Sequence, residues 1–220
     1  NAYHICEGGE VTTRLLKHEL PNDDVFDEVR LYTPGPLSGP VRLGPLRIGI
    51  PICEDAWHPD VAEAQVESGA QVLLVPNGSP YHRGKQDERM SRMVARVVGT
   101  GLPLLYLNMW GGQDDQVFDG GSFGLNPGGQ LALQAPVFSD CLLHVDLEET
   151  GEGWRIAQGA VAPRPDDWEL DYRAMVTGLQ DYLAKSGFKK VVLGLSGGVD
   201  SALVAAIAAD ALGPEQVHCI

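Results

Sequence analysis

Two stretches of this sequence bring together side chains able to do chemistry. In "LRIGIPICEDAW" (46–57) Cys53 ends an apolar run and is followed at once by Glu54 and Asp55. A cysteine at the carboxyl end of a strand is a candidate nucleophile, because α/β folds expose their reactive groups there. Two adjacent carboxylates would disfavour its thiolate, so a nucleophilic Cys53 needs a nearby cation. Without one, Cys53 would serve as a small buried hydrophobe. In "VVLGLSGGVDSALVAA" (191–206) a strand-like run turns through Gly197 and Gly198 into an alanine-rich helix. Such glycines let the backbone approach an anion; Ser196 and Ser201 add hydroxyl donors, and the helix start adds free N–H groups and a positive dipole. A Walker loop is excluded because no lysine follows Gly198, and a dinucleotide fingerprint because the glycines fall at 194, 197 and 198. An ordinary glycine turn with Asp200 as helix cap is the plainer alternative.

The elements that must position these groups read as layered α/β. Apolar runs at 46–53, 70–77, 102–109, 122–129 and 141–147 predict strands, the first placing Ile48, Ile50 and Ile52 on one face and Cys53 on the other. "EGGE" (7–10) predicts a hairpin. Helices are expected over 59–69, stopped by Gly69, and over 85–101, stopped by Gly99 or Gly101. Residues 157–168, "AQGAVAPRPDDW", have little to bury and read as a linker. They divide the chain into residues 1–157, a connection at 158–168, and a second unit over 169–220. That second unit begins with a helix presenting Tyr172, Val176, Leu179 and Leu183 on one face, capped by Asp166 or Asp167 and stopped by Gly187. It continues with the strand at 191, a helix from about Ser201 to Leu212 ended by Gly213 and Pro214, and a further strand at "QVHCI".

Composition narrows the partners. Thirty acidic residues against 16 basic give a net charge of −14, which argues against a nucleic-acid backbone as ligand. Any bound phosphate must be held by local donors or a metal ion. The four scattered cysteines form no C-x-x-C pair, so neither a zinc ribbon nor a disulfide framework is expected, and a reducing cytoplasm fits best. No apolar run reaches the roughly 18 residues that cross a bilayer, and the stretch "NAYHICEGGE" lacks the charged and apolar regions of a signal peptide. The absence of an initiating Met leads us to expect the true N-terminus upstream.

S-G-G-x-D-S resembles the phosphate loop of the ATP pyrophosphatase, or PP-loop, family at every defined position. The resemblance implies that Ser196, Gly197, Gly198, Val199, Asp200 and Ser201 bind ATP phosphates. Upstream, "RLLKHELPNDDVFDE", "IPICEDAW", "VPNGSPYHRGK" and "LNMWGGQDDQVFDGGS" follow one another as in nitrilase-type amidohydrolases. That likeness implies Cys53 as nucleophile, Lys17 as the lysine that supports its thiolate and the oxyanion, and Glu28 as an auxiliary glutamate. It also implies an amide pocket walled by Glu54 and Trp57, with Ser79 and Lys85 on the polar end of the substrate. The general-base glutamate is expected upstream of Lys17, since Glu7 and Glu10 lie too near it. Asp23 and Asp24 stand where the family commonly has Tyr-Gly. The two likenesses in this order resemble the glutamine-dependent NAD synthetases. The implied fold is a nitrilase-like α-β-β-α amidase followed by the start of a Rossmann-like PP-loop domain. Glutamine, ATP with Mg2+, and deamido-NAD are the implied substrates, and a homo-oligomer the implied assembly, of which this chain would be a segment holding no magnesium ligands. A stand-alone nitrilase-type amidase with a vestigial nucleotide-binding extension is the alternative.

Overall fold

The computed structural model describes residues 1–23 and 25–220. Gly8 and Gly9, both left-handed at φ 60° and 87°, reverse the chain between β1 (Ala2–Glu7) and β2 (Glu10–Leu16) as the "EGGE" pattern predicts. A one-turn helix, α1 (Glu28–Leu31), precedes the hairpin of β3 (Val41–Leu43) and β4 (Leu46–Gly49). A 3₁₀ turn, Cys53–Ala56, then leads into α2 (Pro59–Glu67). β5 (Val72–Asn77), α3 (Lys85–Thr100) and β6 (Leu104–Asn108) follow. A separate hairpin, β7 (Trp110–Gln113) with β8 (Gln116–Asp119), interrupts the path to β9 (Phe123–Asn126) and β10 (Gln130–Gln134). The six-stranded sheet has the order β10-β9-β6-β5-β4-β3, parallel through β4, β5 and β6 and antiparallel outside them.

Helices α2 and α3 cover one face of this sheet. Leu73, Val75, Leu104, Tyr106, Phe123 and Leu125 point toward them and meet Met93 and Val97 of α3 in the main core. Each such side chain, fully withdrawn from water, contributes about 1.5–3 kcal/mol. On the other face Ile48 and Ile50 pack with Leu15 beneath the β1–β2 hairpin. All five expected strands are shorter than their apolar runs, and two of the differences bear on the packing. The run 46–53 is strand only to Gly49, and Cys53 opens a turn. Residues 141–146 form no strand; Leu143, Val145 and Leu147 pack against Ala132, Leu133 and Ile156 without a ladder partner until β11 (Leu147–Thr150) pairs with β12 (Gly153–Ile156).

The proline-containing segment after β12 does not hang free. Its backbone bonds along β10: Gly159 N–H donates to Ala132 O and Ala162 N–H to Gln134 O. α4 (Asp167–Ser186) starts on Asp166, whose carboxylate accepts from Glu169 N–H, and stops at left-handed Gly187. Its most buried side chains are Leu170, Ala174, Thr177 and Leu183, while Tyr172, Val176 and Leu179 are half-buried. The buried stripe is thus rotated from the expected face because the helix has two neighbours, β7 and a second helix. β13 (Val191–Leu193), that second helix α5 (Val199–Leu212) and β14 (Val217–Cys219), parallel to β13, complete the described fold. α5 begins two residues earlier than expected, and Gly198 rather than Asp200 takes its cap position.

Candidate active site

Cys53 sits where β4's extension breaks into the 3₁₀ turn, with a left-handed backbone at φ 51°. For a residue with a Cβ that conformation costs about 1–2 kcal/mol and persists only when neighbours over-determine it. Asp55 supplies the constraint. Its buried carboxylate accepts Ile52 N–H at 2.9 Å, His18 N–H at 3.0 Å and Glu19 N–H at 2.7 Å. One side chain therefore fixes the turn and ties it to the chain just after Lys17. Burial pushes the Asp55 carboxyl up, and the three N–H groups and Lys17 draw it back.

Lys17, only 3% exposed, is held by Glu28, its Nζ donating to both carboxylate oxygens at 2.9 and 3.0 Å. Glu28 opens α1, its own N–H bonded to Pro21 O. Lys17, Glu28 and Cys53 line one cavity of about 350 Å³ together with Asn77 and Gly78. Burial pushes the Cys53 thiol up; Lys17 lowers it, Glu54 raises it, a hydrogen bond from Gly78 N–H lowers it, and Glu28 raises it. The net direction is upward, so the resting sulfur is a thiol and its reaction needs a base. Of the two acids following Cys53, only Glu54 opposes the thiolate here, because Asp55 is turned away into its three N–H bonds.

A second cavity, of about 340 Å³, shares Cys53 and is walled by Glu54, Trp57, Ser79 and Lys85. Cys53 thus lies between the lysine and the residues expected to hold the rest of the substrate. Trp57 is flanked by Lys85 Nζ at 4.5 Å and the Arg92 guanidinium at 5.2 Å from its ring centroid. Lys85 also pairs with Glu88 at 3.0 Å, and Glu54 with His58 at 3.4 Å. Asp23 faces this second cavity; Asp24 lies outside the described residues.

Ser79 is positioned by groups that sequence inspection passed over. Arg89 of α3, fully buried, donates from Nε to Ser79 Oγ at 3.1 Å and from Nη2 to Ser79 O and Pro80 O at 2.7 and 3.0 Å. Its Nη1 reaches both oxygens of buried Asp119 at 2.8 and 2.9 Å. Asn108 at the end of β6 accepts Ser79 N–H at 2.9 Å. Ser79 Oγ accepts from Arg89, which leaves the hydroxyl proton free for another partner. A signal for Arg89 was present: Arg89, Met93 and Val97 recur at i, i+4 and i+8 on the core-facing stripe, where a charge must find a buried partner.

The glycine–serine loop lies apart from both cavities. Gly197 is left-handed at φ 85°, and Ser196 Oγ and Ser201 Oγ face each other at 3.2 Å over the start of α5. Ser196 through Asp200 are exposed and Ser201 is half-buried, and none of them lines either cavity at Cys53. Hydroxyls, a left-handed glycine and a 14-residue helix start suit a polyphosphate. Among the described residues no three His, Cys, Asp or Glu side chains gather as a metal site.

Comparison with known proteins bears on both sites. Residues 2–156 match the carbon-nitrogen hydrolase family. The chain belongs to that family. Residues 171–220 match the NAD synthase family, so the carbon-nitrogen hydrolase fold is followed here by the start of a NAD synthase domain. A glutamine-dependent NAD(+) synthetase of Rhodobacter capsulatus is 62% identical over 100% of the chain and 40% of its own length. One of Xylella fastidiosa is 42% identical over 98% of the chain and 40% of its own length. The solved glutamine-dependent NAD+ synthetase of Acinetobacter baumannii, in complex with adenosine diphosphate, superposes with a TM-score of 0.92 at 36% identity, covering 100% of this chain and 41% of that one. The chain therefore spans about 40% of the length of the curated relatives it matches. Among the described residues no helix is long and apolar enough to cross a membrane.

Proposed function

We propose that the protein to which this chain belongs is a glutamine-hydrolysing NAD synthetase, with the amidase over residues 1–157, a connection at 158–168 and the synthetase part beginning at 169. The observation that carries this reading is the convergence of Cys53, Lys17 and Glu28 on one cavity, in a chain that runs on into the Ser196–Ser201 loop. Cys53 Sγ loses its proton to a general base and attacks the side-chain carboxamide carbon of glutamine. Lys17, kept in place by Glu28, stabilises the oxygen as it becomes anionic. The tetrahedral intermediate expels ammonia, leaving a thioester on Cys53 that water hydrolyses to glutamate. Glu54, Trp57, Ser79 and Lys85 bind the α-amino and α-carboxylate end; Lys85 releases Glu88 to do so.

The loop at 196–201 holds the phosphates of ATP, whose Mg2+ arrives with the nucleotide. Adenylation of the nicotinate carboxylate of deamido-NAD releases pyrophosphate, and ammonia then displaces AMP. Coupling the two sites protects a scarce amine and a hydrolysable adenylate. A cytoplasmic homo-oligomer fits the family resemblance and the four free cysteines. The test is Cys53→Ala in the full-length protein: NAD synthesis from glutamine falls to background while synthesis from ammonium is retained. Undiminished glutamine-driven synthesis refutes the assignment.

A further inference from the structure

The loop that carries Gly78 and Ser79 is held at two ends by two different parts of the molecule. Its first half, Gly78–Pro80, is fixed from inside the amidase by Arg89 and Asn108, and Gly78 lines one cavity with Cys53. Its second half, Tyr81–Arg83, is held by Tyr81 N–H, which donates to Val117 O of β8 at 2.7 Å, and through its side chains by α4. Tyr81 Oη donates to Asp171 Oδ1 at 2.7 Å, and Arg83 Nη2 pairs with Asp171 Oδ2. Neither Tyr81 nor Arg83 lines a cavity at Cys53, whereas His82 between them and Lys85 beyond them do. The two outward-facing side chains therefore serve the contact with α4.

α4 itself is seated firmly. Gly112 of β7 has little room for a Cβ, which would lie 3.1 Å from Asp181 Cβ and 3.2 Å from Gly178 Cα. Asp181 accepts Gly112 N–H at 2.6 Å, and Lys185 donates to Gly112 O and Gln113 Oε1. On its other side α4 packs on α5, with Tyr172 Oη donating to Asp210 at 2.6 Å. One helix thus touches the β7–β8 hairpin, the loop beside Cys53, and the helix that follows the glycine–serine loop. Tyr81 and Arg83 hold the Asp171 carboxyl below the usual carboxylate range, so it stays an acceptor throughout the neutral range.

We propose that Asp171 is a positioning residue for the amide-hydrolysing site, fixing the 78–85 loop through Tyr81 and Arg83 so that the seating of α4 sets how well glutamine is held beside Cys53. The proposal rests on the glutamine-hydrolysing reading above. It places the link between the two parts in one carboxylate rather than in the buried Arg89 network.

The test uses the full-length protein carrying Asp171→Ala, Tyr81→Phe, or both. Asp171→Ala raises the KM for glutamine about tenfold, within the usual range of site-to-site coupling, with kcat and ammonium-driven NAD synthesis each within about twofold of wild type. Tyr81→Phe moves KM in the same direction, and the double variant is no worse than Asp171→Ala alone. The alkylation rate of Cys53 by iodoacetamide, which needs no glutamine turnover, changes severalfold in Asp171→Ala. An unchanged glutamine KM and alkylation rate, a parallel loss of glutamine- and ammonium-driven synthesis, or effects that multiply in the double variant would each overturn the proposal. If the wild type releases no ammonia from glutamine, the functional reading has failed, and the alkylation rate alone then decides the role of Asp171.

Discussion

Replacing Arg89 by Met tests whether the buried guanidinium is the structural key to the loop at Cys53. Arg89 and Asp119 are 0% and 3% exposed, and the Nη1 of one contacts both oxygens of the other. Met preserves much of the aliphatic length but leaves the Asp119 carboxylate buried without its cation, a loss of about 3–5 kcal/mol. Pro80 O also loses its donor, adding about 1 kcal/mol, whereas Ser79 O keeps Asn108 Nδ2 at 3.2 Å. Asp119→Leu alone strands the guanidinium and costs a similar 3–5 kcal/mol, softened by the carbonyls that Arg89 still reaches. The double variant, Arg89→Met with Asp119→Leu, removes both charges and should lie within about 2 kcal/mol of wild type, since a well-packed apolar pair replaces an ion pair at little cost. Urea unfolding followed by tryptophan fluorescence gives the three free energies. A single substitution costing under about 1 kcal/mol, or a double variant equal to the sum of the singles, would refute the assignment.

Three further outcomes follow from the same geometry. The pH dependence of Cys53 alkylation should inflect above the value of about 8.5 typical of a free thiol, because burial outweighs Lys17; Lys17→Met moves the inflection higher and Glu54→Gln lower, and movement in the opposite direction for either contradicts the electrostatic account. Asp55→Asn replaces one accepting oxygen with an amide that faces an N–H, so the urea midpoint should fall by the equivalent of about 1–3 kcal/mol, with glutamine turnover falling as the Lys17 segment loosens; an unchanged midpoint would show that the turn is held by other means. Cys53→Gly should be about 1 kcal/mol more stable than Cys53→Ala, both being inactive, because only glycine accepts φ 51° without strain; equal unfolding free energies would argue against strain at this position.

The candidate nucleophile and the loop at Ser196 stood out because each puts a particular residue type at a particular offset from a strand or helix, whereas Lys17, which taken alone reads as a solvated charge, was pointed to only by the resemblance to nitrilase-type amidohydrolases. What the sequence could not reveal was direction. Glu54 and Asp55 are neighbours of equal charge, yet Glu54 bears on the sulfur while Asp55 is spent on Ile52, His18 and Glu19. That difference arises from the reversal at Cys53, which no periodicity encodes, since the apolar run simply continues through Ile52. Similarly, Tyr172, Val176, Leu179 and Leu183 do share a face, but α4 packs against both β7 and α5, and its most buried side chains are set by the two together. The long-range pairings failed for a different reason. Arg89 and Asp119 are 30 residues apart, and nothing local to either names the other. Arg89 was discoverable from its place on the Met93–Val97 stripe, because a guanidinium that must enter the core must also find an anion there. Asp119 carries no such mark: it ends a short hairpin strand whose role becomes apparent only when α3 is packed against it. Local chemistry could thus be read from residue type and spacing, whereas the groups that aim it became visible only once the helices had been seated on the sheet.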